Sequence, residues 1–152
     1  MYIPSGTYLI GKPIVFYYMT QLIGNPRNLP TLKATANLDA LALIDASPYN
    51  NKDGEAGWVS TNLFMRQIRN MIIDGTAVPP TKGFQGIHWP ASQATTIQNV
   101  KIRMTQATNS VHAGIFVENG RPALREDSKL TDLDQVPEAI WLILISREVC
   151  TV

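Results

Sequence analysis

"IRNMIID" at residues 68–74 and "IQNVKIR" at residues 97–103 are two writings of one pattern. Each runs isoleucine, long polar, asparagine, apolar, any residue, isoleucine, polar. The asparagines, Asn70 and Asn99, stand 29 residues apart. A second pair, "GIHW" (86–89) and "GIFV" (114–117), repeats at 28. Two different segments recurring at nearly one period predict a chain that winds once per roughly 20–30 residues, the signature of a solenoid. Chance similarity of two short Ile/Asn strings is the competing reading.

The flanking text chooses the kind of solenoid. "TYLI" and "IVFYY" are β-branched and aromatic, and glycines and prolines bound them. "LALIDA" is an apolar run that stops at "SPYNNKDGEAG". "FMRQIRNMIID" fits helix or strand by composition, but it runs into Gly75 and "VPPTKG", which favours strand. Two prolines and a glycine exclude a helix between Val78 and Gly83. Strands without helical stripes between them predict an all-β chain wound as a parallel β-helix. Asn70 and Asn99 would then share one bend of successive coils, with their amides hydrogen-bonding along the axis.

The coil pattern is expected to cover residues 1–120. Of the 25 charged residues, ten lie from Arg121 onward. This segment, 121–152, carries no Asn-bearing strand and reads as a divergent tail, unrelated to the native fold. Its end, "AIWLILI", is a strand or a helix starting near Pro137.

Charge and composition exclude several functions. A formal net charge of +1 gives no basic surface for nucleic acid or an anionic membrane. The longest apolar run, residues 139–145, is far short of the roughly 20 that a spanning helix needs. "MYIPSGTYLI" lacks the basic start and apolar stretch of a signal peptide. Cys150 is the only cysteine, so neither an internal disulfide nor a cysteine metal site is expected. There is no Asn-Xaa-Ser/Thr triplet, no phosphate-binding glycine loop and no nucleophile motif beside the two histidines. Asp45 and Asp74 each end an apolar strand and read as turn residues bonded to the backbone. A calcium site would need several converging carboxylates. No metal or cofactor is expected.

"YIPSGTYLIGKPI", "YYMTQLIGNPRNLPTLKA", "FMRQIRNMIID", "VPPTKGFQGIHWPASQATTIQNV" and "HAGIFVENG" together resemble the N-terminal β-helix of fungal exo-β-1,3-glucanases. These are glucan 1,3-β-glucosidases of glycoside hydrolase family fifty-five, within the pectate-lyase-like superfamily. The resemblance covers residues 1–120, and "GIHW…QAT…QN" followed by "GIFVENG" is its most specific part. It implies a right-handed parallel β-helix, export from the cell, and a β-1,3-glucan substrate held between two tandem β-helices. It also implies inverting hydrolysis, in which an acid and a water-activating group stand roughly 6.5–9.5 Å apart. The family's general-acid glutamate lies in the second β-helix, which is missing here. No catalytic residue is therefore assigned, and the chain alone is expected to be inactive and unstable.

What the resemblance carries over is substrate binding: Gln93 in "SQAT", Glu118 and Asn119 in "ENG", and His88 and Trp89 in "GIHW". The plainer reading of Glu118 is a turn glutamate, and of Gln93 an amide that satisfies backbone groups at a coil bend. His88 and His112, 24 residues apart, could line the cleft or stack at one edge, and could equally be core or turn histidines. Trp58, Trp89, Tyr17, Tyr18 and Tyr49 could each stack on a glucose ring or pack within coils. The sequence departs from the family at Pro90, where glutamine is usual, and after Gly120, where "RPALRED" replaces Gly-rich coil, as a truncated gene model would. Two other classes remain open: a non-catalytic glucan-binding or structural β-helix, and a pectin-active lyase or hydrolase.

Overall fold

The computed structural model describes residues 1–49, 64–90 and 94–117. The expected tail at 121–152 and the boundary near Gly120 lie outside these residues. The described chain makes four coils. The first holds β1 (Tyr2–Ile3), β2 (Thr7–Ile10) and β3 (Ile14–Val15). The second holds β4 (Gln21–Gly24), β5 (Thr31–Ala34) and β6 (Ala42–Asp45). The third holds β7 (Gln67–Asp74) and β8 (Phe84–His88), and the fourth β9 (Thr96–Arg103) and β10 (His112–Phe116). Every pairing between coils is parallel. This is a partial parallel β-helix, as the repeat predicts.

The decisive register is the expected one. Ile68 pairs with Ile97, Met71 with Val100, Ile73 with Ile102 and Asp74 with Arg103. "GIHW" lies on "GIFV" through Ile87–Ile115 and His88–Phe116. β7 does the work of two strands. Its first half pairs with β4 and its second half with β5. The bend between the halves is Asn70, at φ 58°, and β9 bends at Asn99, at φ 52°. Asparagine tolerates this left-handed conformation better than other non-glycine residues. The second coil makes the same corner with six loop residues, 25–30. The β7 backbone therefore crosses very close to Gly24, where a Cβ would fall 1.9 Å from the Asn70 carbonyl oxygen.

Coil spacing explains the core. Equivalent positions in successive coils sit about 4.8 Å apart, so like side chains stack. Leu22, Ile68 and Ile97 form one such column, and Leu32, Ile73 and Ile102 another. Ile14, Ile44, Ile87 and Ile115 form a third, on the remaining face. Burial is complete at Leu22, Ile68, Ile44 and Ile87, and only partial at Ile97, Ile102 and Ile115 in the fourth coil. Each wholly buried aliphatic side chain contributes about 1.5–3 kcal/mol.

The face made by β3, β6, β8 and β10 is covered on both sides. All four residues of β6 are buried, as are all of β8 except Gln85. By contrast, β9 alternates exposed and half-buried positions. A Cβ on Gly86 would meet the Ile102 side chain at 2.8 Å and the Gly114 carbonyl oxygen at 2.7 Å, so glycine is required where these strands face the opposite wall.

A second corner repeats along the axis. Met19, Met65 and Ala94 each stand two residues before a strand of the same face, and each has positive φ. The strands they precede pair in register, Gln21 with Gln67 and Gln67 with Thr96. Among the described residues, all five positive-φ non-glycine residues thus fall in two columns, one of asparagines and one of Met, Met and Ala.

Candidate functional site

The site is built where β8 ends. Alternation along β8 puts Phe84, Gly86 and His88 on one side of the strand and Ile87 on the other. His88 is wholly buried, and its Nδ1 lies 2.8 Å from Oδ1 of Asp45 on the preceding coil. The same Asp45 oxygen accepts from the Ser47 backbone N–H at 3.0 Å. Asp45 is the strand-end turn residue the sequence suggests, and Asp74 is another, accepting from the Thr76 N–H and hydroxyl. The His88 ring stacks on Phe116 of the next coil, 5.3 Å between centroids, and lies 5.2 Å from the Tyr49 ring. One column, Val15–Asp45–His88–Phe116, therefore runs through four coils.

Trp89 begins the next column, with Phe16 and Ala46. The backbone ladder continues into it: Phe16 N–H donates to Asp45, Ala46 N–H to His88 and Trp89 N–H to Phe116. Ala46 is small, and the Phe16 and Trp89 rings meet edge to face across it at 5.7 Å. The Arg66 guanidinium covers the Trp89 ring at 4.6 Å. Arg66 is wholly buried and donates to the carbonyls of Ala46, at 2.7 Å, and Pro90, at 3.1 Å. Burial lowers its pKa to about 10, so it stays charged at neutral pH.

These contacts anchor Pro90 and Thr95. Arg66 holds Pro90. The Trp89 indole N–H donates to the Thr95 hydroxyl at 3.1 Å, and the Thr96 N–H donates to the Arg66 carbonyl. A buried cation thus fixes Pro90 and a buried indole fixes Thr95. Gln93 lies between these two anchors in sequence and outside the described residues. Glu118, Asn119 and Trp58 also lie outside the described residues.

The two remaining candidates differ from a surface reading. Trp89 is 3% exposed, and its ring is packed against Arg66 and Phe16, so it offers no open face to sugar. His88 has a carboxylate partner, which the sequence reading missed. His112 is not stacked with His88: it sits at the other end of the face, paired with Phe84, its Nε2 3.1 Å from the Pro79 carbonyl oxygen. Of the tyrosines considered, Tyr17 and Tyr18 are largely exposed and Tyr49 is half-buried. Among the described residues, no group of three or more His, Cys, Asp or Glu could hold a metal ion, and no helix is long and apolar enough to cross a membrane.

Known proteins resemble this chain in sequence. A family model described as rhamnogalacturonase A/epimerase, pectate lyase-like, matches residues 1–136. A glucan 1,3-beta-glucosidase of Cochliobolus carbonum is 76% identical over 131 residues, 86% of this chain and 17% of the relative. A probable glucan endo-1,3-beta-glucosidase of Arthroderma benhamiae is 39% identical over 129 residues, 84% of this chain and 14% of its own length. A non-secreted LysM effector of Penicillium expansum is 35% identical over 120 residues, 79% of this chain and 8% of its own length. The chain spans about a sixth or less of the curated relatives it matches. With its parallel coils in the register that the repeat requires, the chain belongs to the pectate-lyase-like family, and the fungal glucan 1,3-β-glucosidases are the relatives its sequence resembles.

Proposed function

We propose that this chain is a β-1,3-glucan-binding part of an exported exo-β-1,3-glucanase of the inverting type. The observation that carries this is the 76% identity to a glucan 1,3-beta-glucosidase over 131 residues, 86% of this chain. Gln93, Glu118 and Asn119 bind sugar hydroxyls or order the attacking water. Trp89 and Arg66 act indirectly, fixing Thr95 and Pro90 on either side of Gln93 in the sequence, and His88 holds the end of β8 through Asp45. The general acid belongs to polypeptide that this chain does not contain, so the chain by itself binds glucan and does not cut it.

The test has two arms. The purified chain should release no glucose from laminarin; measurable release would overturn the division of labour. A longer protein carrying this segment should hydrolyse laminarin with α-glucose as the first-formed anomer in an NMR time course. There Gln93→Ala should lower kcat about 100-fold, the scale of a lost water-positioning or electrostatic contact.

A second reading is a glucan-binding module without hydrolysis. It is favoured by the relatives named as LysM effectors, whose names claim no glucosidase activity. Retention on insoluble β-1,3-glucan by a longer protein with no glucose release would select it.

A further inference from the structure

Arg66 carries a charge that its contacts do not require. Its fork bonds two carbonyls, which need donors and not a cation. Its Nε–H finds no acceptor among the described residues, although the whole side chain is buried. Burying an unpaired charge is costly, and well-packed apolar residues often replace buried ions without loss of stability. The titratable groups on the strand ends round it are Asp45, His88, Tyr17 and Tyr49. Asp45 is the one carboxylate, and it is committed to His88 and to the Ser47 N–H. Among the described residues this is the only close acid–base pair, so Arg66 has no counter-ion there.

The place of this charge gives it a use. β6, β8 and β10 lie side by side in one sheet, and Trp58, Gln93, Glu118 and Asn119 all belong to the segments that follow them. Of the carboxylates on these segments, Glu118 is the most closely tethered. It stands two residues past Phe116, so the two Cα atoms lie within about 7 Å. The Phe116 carbonyl accepts the Trp89 N–H, and the Trp89 ring lies 4.6 Å from the Arg66 guanidinium. In an interior of low dielectric a charge acts over such distances with little screening.

We propose that Arg66 is a positioning residue whose buried charge holds Glu118 ionised, so that Glu118 meets the sugar or its attacking water as a hydrogen-bond acceptor. The proposal rests on the glucan reading and sets the pH at which that site works. A nearby cation favours the ionised form of a carboxylate. Removing it moves the protonation of Glu118, and with it the acid limb of activity, to higher pH.

The test is the pH profile of kcat/KM on laminarin in a longer protein that carries this segment. Where a variant is too slow, laminarin affinity by titration calorimetry supplies the profile. Arg66→Gln keeps donors and loses the charge; it should move the acid limb up by about 0.5–1 pH unit. Arg66→Lys keeps the charge and loses the fork; it should lower the rate and leave the limb in place. Glu118→Gln should abolish the limb, and adding Arg66→Gln to it should move nothing further. A limb unmoved by Arg66→Gln, moved equally by Arg66→Lys, or retained in Glu118→Gln overturns the proposal while the glucan reading stands. Circular dichroism checks that each variant is folded at the assay temperature, with Arg66→Met as a second neutral variant. If neither neutral variant folds, the charge serves folding alone and the proposal fails. A wild-type protein with neither activity on laminarin nor affinity for it removes the glucan reading and this proposal together.

Discussion

Asn99 donates its side-chain amide to the side-chain oxygen of Asn70 at 2.8 Å, across one turn of the coil. Both residues have left-handed backbone, so each asparagine relieves its own bend and ties it to the next. Asn70→Ala should lower stability by about 1–2 kcal/mol, combining the left-handed penalty with a lost exposed hydrogen bond. Asn70→Gly should cost less, because glycine recovers the backbone term. Urea unfolding of the three proteins checks the order.

The Asp45–His88 contact is sealed from solvent, and removing either partner strands the other. His88→Leu should cost about 2–3 kcal/mol, since the Asp45 carboxylate would stay buried with fewer donors. Asp45→Asn retains an acceptor for Ser47 and His88 and should cost about half as much. Thermal midpoints of the two variants should separate in that order.

Two glycines of similar appearance should behave oppositely. Gly24→Ala drives a methyl into the Asn70 carbonyl and the Pro30 ring. It should cost about 3 kcal/mol or more, at the upper end of overpacking effects. Gly83→Ala meets nothing within 4 Å and should be neutral or slightly stabilising through the unfolded chain. Circular dichroism melts of the two variants make the comparison.

Arg66 bonds two carbonyls from different coils with the two arms of one planar fork. Arg66→Lys cannot span both and should cost about 2–3 kcal/mol despite the retained charge. Because this fork holds Pro90 and covers Trp89, which in turn holds Thr95, amide hydrogen exchange at Ala94 and Thr95 should rise more than at β7.

The winding was readable because Ile68, Asn70 and Ile73 recur at a constant 29 residues as Ile97, Asn99 and Ile102, and stacking demands like residues at like places. Gly86 and Gly114 were readable for the same reason. Asp45 and His88 were not, because 43 residues separate them and the second coil is longer than its neighbours. The residue after Ile44 aligns with the residue after Ile87 only once that length is known. Trp89 misled because an aromatic in a sugar-active motif reads as a platform. Only the placement of Arg66 and Phe16 shows that its ring is enclosed. Gln93, Glu118 and Asn119 rest on resemblance, since no spacing argument reaches single polar residues in turns.

The second coil takes 46 residues to bring Gln21 round to Gln67, and the third needs only 29 from Gln67 to Thr96, yet every rung stays aligned. Each strand reads its neighbour and not the chain length between them. Lengthening a connection from 29 to 46 residues adds about 0.4 kcal/mol of closure entropy. Such an architecture can absorb long excursions at its corners almost without thermodynamic consequence, so lineages can diversify there while the scaffold stays fixed.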